Sequence, residues 1–492
     1  MKQLRNTEFY GVIAILILWS ALIITPIALS DLAGITIQNS GKILTTKTPI
    51  TQISEIRGVF IHEEIYGVSH NWNVIAETLA GYGINAVFVN DQSGGSRRPY
   101  NEIRSAINAF HAYGIEYHSS MNVLINWWHS GTEAITSGGS IYASYIHCPK
   151  KAHDYVMAHL QDYLETFPDV DGIMLDYIRY EVADMCYCPH CRAAFEEWLG
   201  EGPITNWTPF YPSGSRWSEY ADWRTLPVTK LVKDMHDLIK SFNPNIIISE
   251  AAWTLFSDSA IYWRKWIGQD TAAWIKEGYL DFVAPMMYQR TIYGSGDESL
   301  EGRINATLKY WMGGRPEGPI SLVALLRAEW TSNDLTPEEF AAQVNYVRSR
   351  GLDGWIIWRY SGPGGRLSGA EYDTTDYLDA ISLPTVFKLA NIATSTSGTS
   401  ANVTWTTDLP TTSKVEYSIS PLFSATWSIQ SDFHYWKINY NNGTVISDSA
   451  NVTAHSITLA NLEVGTDYYF RVQSRDESGI VTTKILTFTT KS

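Results

Sequence analysis

Basic residues are scarce in this chain. Lys and Arg number 36 against 51 Asp and Glu, so the formal net charge of the 492 residues is −15 at pH 7. No basic stripe occurs along the sequence, and a protein with this charge repels polyanions. We therefore expect no nucleic-acid partner.

Charged residues of both signs are also few, at 18% of the chain, whereas aromatic residues are abundant, with 19 Trp and 29 Tyr. Aromatic rings suit stacking against sugars, although most rings in any protein belong to the hydrophobic core. A chain of this length is expected to hold two or three domains with a large core.

The N-terminus has the features of an export signal. Lys2 and Arg5 precede a long apolar run that ends at Leu29 and is nearly long enough to span a bilayer. We predict that residues 1–30 are a signal peptide or an N-terminal membrane anchor, that residues 31–54 are a spacer, and that the rest is extracellular or at the cell surface. Five Asn-x-Ser/Thr sequons are compatible with export, at Asn206, Asn305, Asn402, Asn442 and Asn451.

One rhythm repeats eight times between Arg57 and Leu383, a short β-rich run followed by a longer amphipathic segment. Eight βα units predict a (β/α)8 barrel over residues 55–383. The rival is an open doubly wound sheet, but no Gly-rich phosphate-binding loop follows the first run. The predicted strands are Gly58–Glu64, Ala86–Gln92, Glu116–Asn122, Gly172–Tyr180, Ile246–Ala252, Phe282–Gln289, Ile320–Leu326 and Gly354–Tyr360.

Functional residues of such a barrel lie at the C-terminal ends of its strands. Polar and aromatic side chains crowd these ends in the sequence. A sugar ring presents an apolar face to indole, and its hydroxyl groups bind polar side chains. We therefore predict a substrate-binding set of Glu63, Asp91, His118, Asn122, Trp127, Arg179, Trp253, Tyr288, Gln289, Glu329 and Trp358.

Two neighbouring predicted strands, the fourth and the fifth, end in a carboxylate after a run of apolar residues. Asp176 closes one and Glu250 the other, and glycoside hydrolysis needs two carboxyl groups. We expect Asp176 to be the nucleophile or charge stabiliser, kept ionised by Arg179, and Glu250 to be the acid in the drier setting. The structural alternatives are that Asp176 caps a helix or pairs with Arg179, and that Glu250 is the buried partner of an arginine.

The stretch Asp171–Tyr180, with the sequence DGIMLDYIRY, resembles the strand-four signature of the glycosyl hydrolase-like 10 family. Phe282–Tyr288 is similar to that family's strand six, and Gly351–Trp355 to its approach to strand eight. The resemblance covers about residues 57–383 and implies an exported TIM-barrel protein that acts on carbohydrate, with Asp176 at its centre.

An Asp on strand four and a Glu on strand five also resemble the α-amylase-like arrangement. That family's strand-seven Asp is absent here, and Glu329 is its nearest substitute. The sequence departs from the glycosyl hydrolase-like pattern at Glu181, where Pro is common, and in the Cys-rich segment that follows. The resemblance therefore defines the fold better than the substrate.

The four cysteines are expected to meet at the same end of the barrel. Cys186, Cys188 and Cys191 follow strand four, and Cys148 precedes the helix after strand three. Four thiolates, or three with His190, would hold a structural zinc ion and leave no open position for metal-dependent hydrolysis. In an exported protein disulfides are the competing use, and free thiols are the third alternative.

Residues 384–492 change to alternating Val, Ile, Thr and Ser with little helix signal, which predicts a β sandwich. Leu462–Tyr468 resembles the fibronectin type III pattern that ends in a corner tyrosine, with Trp405 as the buried indole. This region shows no catalytic constellation, and we expect a spacer or a module that holds the barrel near a polymer or a cell surface.

The sequence thus predicts an α/β protein, a (β/α)8 TIM barrel followed by an all-β fibronectin type III-like sandwich. The expected function is that of an exported glycoside hydrolase that cuts a polysaccharide or glycoconjugate with paired carboxylates. The alternative is a non-catalytic carbohydrate-binding or adhesive cell-surface protein. We expect no cofactor for catalysis, a structural zinc ion as one option, a glycan partner, and membrane contact through the N-terminal segment if that segment is uncleaved.

Overall fold

The structure is a computed structural model of the chain. Residues 1–54, which carry the predicted signal or anchor and spacer, lie outside the part that it describes. Among the described helices, none is both long and apolar enough to cross a bilayer. The described residues are 55–62, 70–91, 98–125, 130–254, 266–294, 298–314, 318, 320–328, 335–365, 372–381, 389–420, 425–429, 436–440, 443–476, 479–482 and 486–491.

Eight parallel strands close into a barrel in chain order, which confirms the predicted (β/α)8 fold and excludes the open doubly wound sheet. The strands form where Val-, Ile- and Phe-rich runs are buried on both faces, as parallel sheets require. Strand four ends earlier than predicted because Tyr177 takes a left-handed φ of 48°. The strands are β1 Ile56–Ile61, β2 Ala86–Asn90, β3 Glu116–Asn122, β4 Gly172–Asp176, β5 Ile247–Ala252, β6 Phe282–Met287, β7 Ser321–Arg327 and β8 Gly354–Trp358.

Helices follow the strands and cover the outside of the barrel. Their ends carry the expected signals, for example a capping box in which Thr336 and Glu339 bind each other's backbone N–H groups. A 3-10 turn spans Thr208–Phe210. The helices are α1 Trp72–Gly81, α2 Tyr100–Ala112, α3 Pro149–Thr166, α4 Pro189–Leu199, α5 Trp217–Phe242, α6 Thr271–Lys276, α7 Leu300–Trp311, α8 Pro337–Ser349 and α9 Thr374–Ala380.

Alternate residues of each barrel strand face either the barrel interior or the helix layer. Phe88, Met174 and Phe282 belong to the interior cluster, whereas Ile173 and Leu175 pack with the helices. This alternation decides which strand-end side chains reach the mouth of the barrel, where the C-terminal ends of the strands meet.

Residues from Leu389 onward form an antiparallel β sandwich, as predicted. The long strand β10 pairs with β9 and β13 in its first half and with β13 and β14 in its second half. The hydroxyl of Tyr468 accepts the Glu463 N–H at 2.9 Å, which is the contact of a corner tyrosine, and Trp405 is buried. The fibronectin type III assignment stays a prediction. The strands are β9 Leu389–Thr396, β10 Ala401–Ser418, β11 Ala425–Ile429, β12 Trp436–Tyr440, β13 Thr444–Leu459, β14 Asp467–Asp476, β15 Gly479–Thr482 and β16 Leu486–Thr489.

Candidate active site

Asp176 is the last residue of β4 and shares the interior face of that strand with Met174. Its register partner on the adjacent strand β3 is Asn122. The Asn122 Oδ1 accepts a hydrogen bond from Asn90 Nδ2 at 3.2 Å. The positive φ of Tyr177 turns the chain sharply, and the Tyr177 N–H donates to Asp176 Oδ1 at 2.7 Å. The structure therefore places Asp176 at the mouth of the barrel, as the sequence predicted.

The environment of Asp176 disfavours the charged carboxylate. Only 7% of the residue is exposed, and burial raises its pKa to about 6, against the lowering effects of the Tyr177 N–H and of the Arg179 charge. Arg179 favours the ionised carboxylate, as the sequence predicted, but the loss of solvent outweighs this effect and the net shift of the pKa is upward.

Arg179 lies in the loop after β4 between two aromatic rings. Its guanidinium carbon is 4.7 Å from the ring centroid of Tyr177 and 4.7 Å from that of Trp253. Its Nη1 forms an ion pair with Glu181 at 2.8 Å. Arg179 therefore does not pair with Asp176, and it joins the ends of β4 and β5 through a cation–π stack.

The opposite side of the mouth carries Tyr288, Arg327 and Trp358. The ring centroids of Tyr288 and Trp358 lie 6.3 Å apart, and the Arg327 guanidinium carbon lies 5.9 Å from the Tyr288 centroid. Burial raises the pKa of Tyr288 well above its usual value, and the charge of Asp176 raises it further. Tyr288 is therefore neutral and can donate a hydrogen bond.

Glu250 does not join Asp176, although the two residues lie on adjacent strands. Glu250 pairs in register with Leu175, which faces the helices, and its Oε1 accepts a hydrogen bond from Thr271 Oγ1 at 3.0 Å. The residue is fully buried, and burial raises its pKa well above the usual value. The expected Asp176–Glu250 pair is thus not assembled, because Glu250 sits on the wrong face of β5, and its partner is Thr271 rather than an arginine.

Three further predicted residues lie away from the mouth. Asp91 faces the helix layer and accepts hydrogen bonds from two buried tyrosine hydroxyl groups, those of Tyr117 at 2.7 Å and Tyr163 at 2.9 Å. His118 lies deep in the barrel, four residues before the end of β3. Gln289 follows β6 out of phase with the interior-facing Tyr288, and its carbonyl accepts a hydrogen bond from a residue of α8.

Three predicted binding residues, Glu63, Trp127 and Glu329, lie outside the described residues. The structure brings together the other predicted residues at the mouth, namely Asp176, Asn122, Arg179, Trp253, Tyr288 and Trp358.

Sequence reasoning left Asn90 and Arg327 out of the predicted set. Asn90 is buried and bonded to Asn122, and Arg327 ends β7 in register with Trp358. Counting alternate residues along each strand from Asp176 or Trp358 would have found both. Arg327 is in register with Trp358, and Asn90 faces the interior beside Asn122, which is in register with Asp176.

The four cysteines form one buried cluster behind the β4 loop. Their sulfur atoms all lie within 4.8 Å of one another, with Cys148 Sγ 3.4 Å from Cys191 Sγ and 3.8 Å from Cys188 Sγ. No disulfide joins any of the four in the structure, so the disulfide alternative is not formed. His190 is exposed and does not belong to the cluster. The donors are therefore four sulfur atoms, a set that suits a tetrahedral metal ion.

The mouth as described combines one carboxyl group with neutral hydrogen-bond donors and stacked rings. A carboxyl whose pKa is about 6 holds a proton in mildly acid solution and can give it to a leaving oxygen. Indole and phenol rings of Trp253, Trp358 and Tyr288 offer apolar faces to a ligand with apolar and hydroxylated sides.

Comparisons with known proteins agree with this architecture. Residues 123–301 match the family model of glycosyl hydrolase-like 10, and residues 389–490 match that of the purple acid phosphatase N-terminal domain. No curated protein matches the chain.

Several solved structures of similar fold are glycosidases. A catalytic mutant of Gan42B, a β-galactosidase of G. stearothermophilus, has a TM-score of 0.50 at 11% identity over 66% of this chain and 55% of its own. The β-galactosidase of Halorubrum lacusprofundi has a TM-score of 0.48 at 14% identity, over 62% of this chain and 53% of its own. The chain thus spans about half the length of these proteins, and at such identities the likeness concerns the fold alone. The fold is that of a closed (β/α)8 TIM barrel, and residues 123–301 of the chain are similar to the glycosyl hydrolase-like 10 family.

Proposed function

We propose that this chain is an exported glycoside hydrolase that acts on a polysaccharide or glycoconjugate, with Asp176 as its central carboxyl group. The observation that carries the proposal is the position of Asp176, which faces the barrel interior at the end of β4 beside Asn122. Arg179 and Trp253 lie on one side of the mouth, and Tyr288 and Trp358 on the other.

Asp176 acts in this proposal as the general acid rather than as the nucleophile. Its raised pKa of about 6 keeps it protonated in mildly acid solution, and an acid of that strength suits protonation of a glycosidic oxygen. The rate is then expected to fall as the pH rises through about 6, because the acid form is lost.

A glycosidase of the usual type needs a second carboxylate. Among the described interior-facing strand ends Asp176 is the one carboxyl group. By their places in the sequence, at the ends of predicted strand one and after predicted strand seven, Glu63 and Glu329 are the candidates for the second.

The test is hydrolysis of a panel of α- and β-linked polysaccharides and amino-sugar polymers by residues 31–492. Wild type is compared with Asp176→Asn, Glu63→Gln and Glu329→Gln. Glu250→Gln is the matched control, because Glu250 is a buried carboxyl at the end of the next strand that faces the helices. We expect Asp176→Asn to lower the rate by about 10²- to 10⁴-fold and the control to stay within about twofold of wild type.

A polymer cut equally well by wild type and by folded Asp176→Asn would refute the assignment. If no polymer is cut and a glycan still binds, the alternative function holds, that of a non-catalytic carbohydrate-binding or adhesive surface protein. The presence of a single carboxyl group among the described residues of the mouth favours this second candidate.

The proposed export rests on the sequence of residues 1–30 and on the sequons. The side chains of Asn206, Asn305 and Asn451 are exposed, so an exporting cell can glycosylate them. Fractionation of cells that produce the full chain tests the localisation, and N-terminal sequencing of the exported product distinguishes a cleaved signal from a membrane anchor.

We further propose that the cysteine cluster holds a structural zinc ion. Zinc–thiolate bonds of about 2.3 Å in a tetrahedron place sulfur atoms about 3.8 Å apart, close to the 3.4 and 3.8 Å separations from Cys148. Cys148 and Cys188 are the N-cap residues of α3 and α4, where the helix dipoles favour negative charge. Four thiolates fill the coordination shell, so the ion would stabilise the loop beside Asp176 and contact no substrate.

A further inference from the structure

The interior face of β3 is polar along its whole length. Its interior positions carry Glu116, His118, Ser120 and Asn122, whereas β7 presents Val323 and other apolar residues to the same space. Barrel interiors are normally filled by layers of branched apolar side chains. The β3 side of the barrel interior therefore departs from the pattern. Its polar face runs from the N-terminal end of the strand to Asn122, beside Asp176.

Polar atoms on β3 and on the nearby strand β5 lack protein partners within the described part of the chain. The hydroxyl groups of Ser120 and Ser249 and the Nδ1 atom of His118 make no hydrogen bond with any described residue. Ser120 and Ser249 are both 0% exposed, and His118 is 1% exposed. Buried polar groups are almost always satisfied by protein or by ordered water, because a group left unsatisfied destabilises the folded state.

These three groups lie on the interior face of β3 and β5, on either side of β4. Ser120 and Ser249 flank Met174 in register on β3 and β5. His118 lies two residues before Ser120, opposite Gly172. A Cβ atom on Gly172 would lie 2.1 Å from His118 Nδ1, so the glycine is needed to admit the ring.

The other nitrogen of His118 is already engaged. His118 Nε2 lies 3.1 Å from Glu116 Oε2, and the Glu116 side chain is 52% exposed at the N-terminal end of the strand. The rings of Phe88 and Phe282 pack against His118, with centroids 4.8 and 6.2 Å away. The imidazole is thus held in place inside the barrel, with its Nδ1 edge over Gly172 of β4.

We propose that Ser120, Ser249 and His118 Nδ1 bind a connected cluster of ordered water inside the barrel, beneath Asp176 and Asn122. Water is small enough to reach buried hydroxyl groups and an imidazole nitrogen, and buried water typically makes about three hydrogen bonds. The cluster brings a polar medium to the underside of the candidate active site. This inference rests on the barrel geometry and does not depend on the proposed glycosidase activity.

The sign of a stability change tests the proposal. If the serine hydroxyl groups bind water, Ser120→Ala and Ser249→Ala each lower the melting temperature of the barrel by about 1 to 3 °C. If the groups are unsatisfied and dry, removing them leaves the melting temperature unchanged or raises it, and the proposal is overturned. Ser120→Cys is the matched control for volume, because it keeps the space filled with a poor hydrogen-bonding group. It must lower the melting temperature as well, and a Cys variant as stable as wild type would assign the loss to a cavity.

A double variant tests the connection between the two serines. A shared cluster makes the combined loss differ clearly from the sum of the two single losses, whereas an additive loss overturns the connected cluster. A high-resolution crystal structure of wild type gives a check that needs no variant. It should show ordered water at about 2.7 to 3.2 Å from both hydroxyl groups, and hydroxyl groups that donate to backbone carbonyls instead would refute the proposal.

Discussion

Asp176 and Glu250 look alike in the sequence and differ in the structure. Each ends a strand after apolar residues, and the strands are neighbours. Asp176 shares a face with Met174 and opens toward the barrel mouth, whereas Glu250 pairs with Leu175 and binds Thr271 of α6. A shift of one residue along a strand moves a side chain to the other face. That difference alone separates Asp176, a candidate catalytic group, from Glu250, a structural one.

The two strand ends are also held by different means. Glu250 itself fastens the segment after β5 through Thr271. Asp176 leaves its loop to other residues. The buried Arg224 donates to the carbonyls of Val182 and Ala183 at 2.9 and 2.6 Å, and Tyr220 and the cysteine cluster hold Cys186. The main anchors of the loop after Asp176 therefore lie further along the chain.

The largest effect that tests this comparison is expected from removal of metal. We predict one zinc ion per chain by elemental analysis, and a fall in melting temperature on the order of 10 °C after chelation or in Cys191→Ser, because a structural zinc site contributes folding free energy directly. Hydrogen exchange should rise in the loop 177–188 and in α4, with α6 unchanged, since α6 is fastened by Glu250.

His190→Ala is the control for the metal prediction, since His190 is exposed beside the cluster and outside it. It should leave both metal content and melting temperature as in wild type. Purified protein that contains no zinc, and that chelators do not affect, would contradict the metal site and leave four free thiols as the reading of the cluster.

The second prediction concerns how the buried carboxyl group of Asp176 changes the free energy of unfolding with pH. Burial raises the pKa of Asp176 to about 6, so the folded state holds a proton that the unfolded chain releases near pH 4. Stability therefore falls as the pH rises from about 4 to about 6, by up to about 3 kcal/mol at 1.36 kcal/mol per pKa unit. Asp176→Asn should remove this loss and stabilise the protein at pH 7.5 by up to that amount, with little change at pH 4.

Urea unfolding of wild type and Asp176→Asn at the two pH values measures this difference. Asp154→Asn is the control for loss of a carboxyl group at the surface, because the Asp154 side chain is fully exposed, and it should not reproduce the stabilisation that Asp176→Asn gives at pH 7.5. An Asp176→Asn variant that is no more stable than wild type at pH 7.5 would mean that the carboxylate is satisfied in its ionised form.

The fold was more predictable than the site for a reason that the two carboxylates show. Eight apolar runs and their intervening helices specify a parallel barrel whichever way each strand is turned, so β1 to β8 appear close to their predicted limits. Strands buried on both faces show no polar alternation, so nothing local to Glu250 says which way it points. Placing Glu250 required the register of β4 against β5, which is a long-range property. The pKa of Asp176 was missed likewise, because burial by distant segments outweighs the sequence neighbour Arg179.

The smallest expected effect comes from Glu250 itself. Burial raises the pKa of Glu250 well above its usual value and so favours the protonated side chain, of which Gln is a close mimic. We expect Gln to change the unfolding free energy by less than about 1 kcal/mol. Glu250→Ala should cost about 2 to 4 kcal/mol, because it leaves a cavity and removes the acceptor of Thr271.

The contrast between Gln and Ala at this position, measured by urea unfolding, decides whether the comparison holds. If Glu250→Gln lowers the free energy of unfolding as much as Glu250→Ala does, Glu250 functions as an ionised carboxylate. The distinction between Glu250 and Asp176 would then be wrong. If Gln is neutral for stability and leaves glycan cleavage or binding as in wild type, the two carboxyl groups are functionally separate. The helix-facing carboxyl then fastens α6, and the interior carboxyl alone faces the ligand.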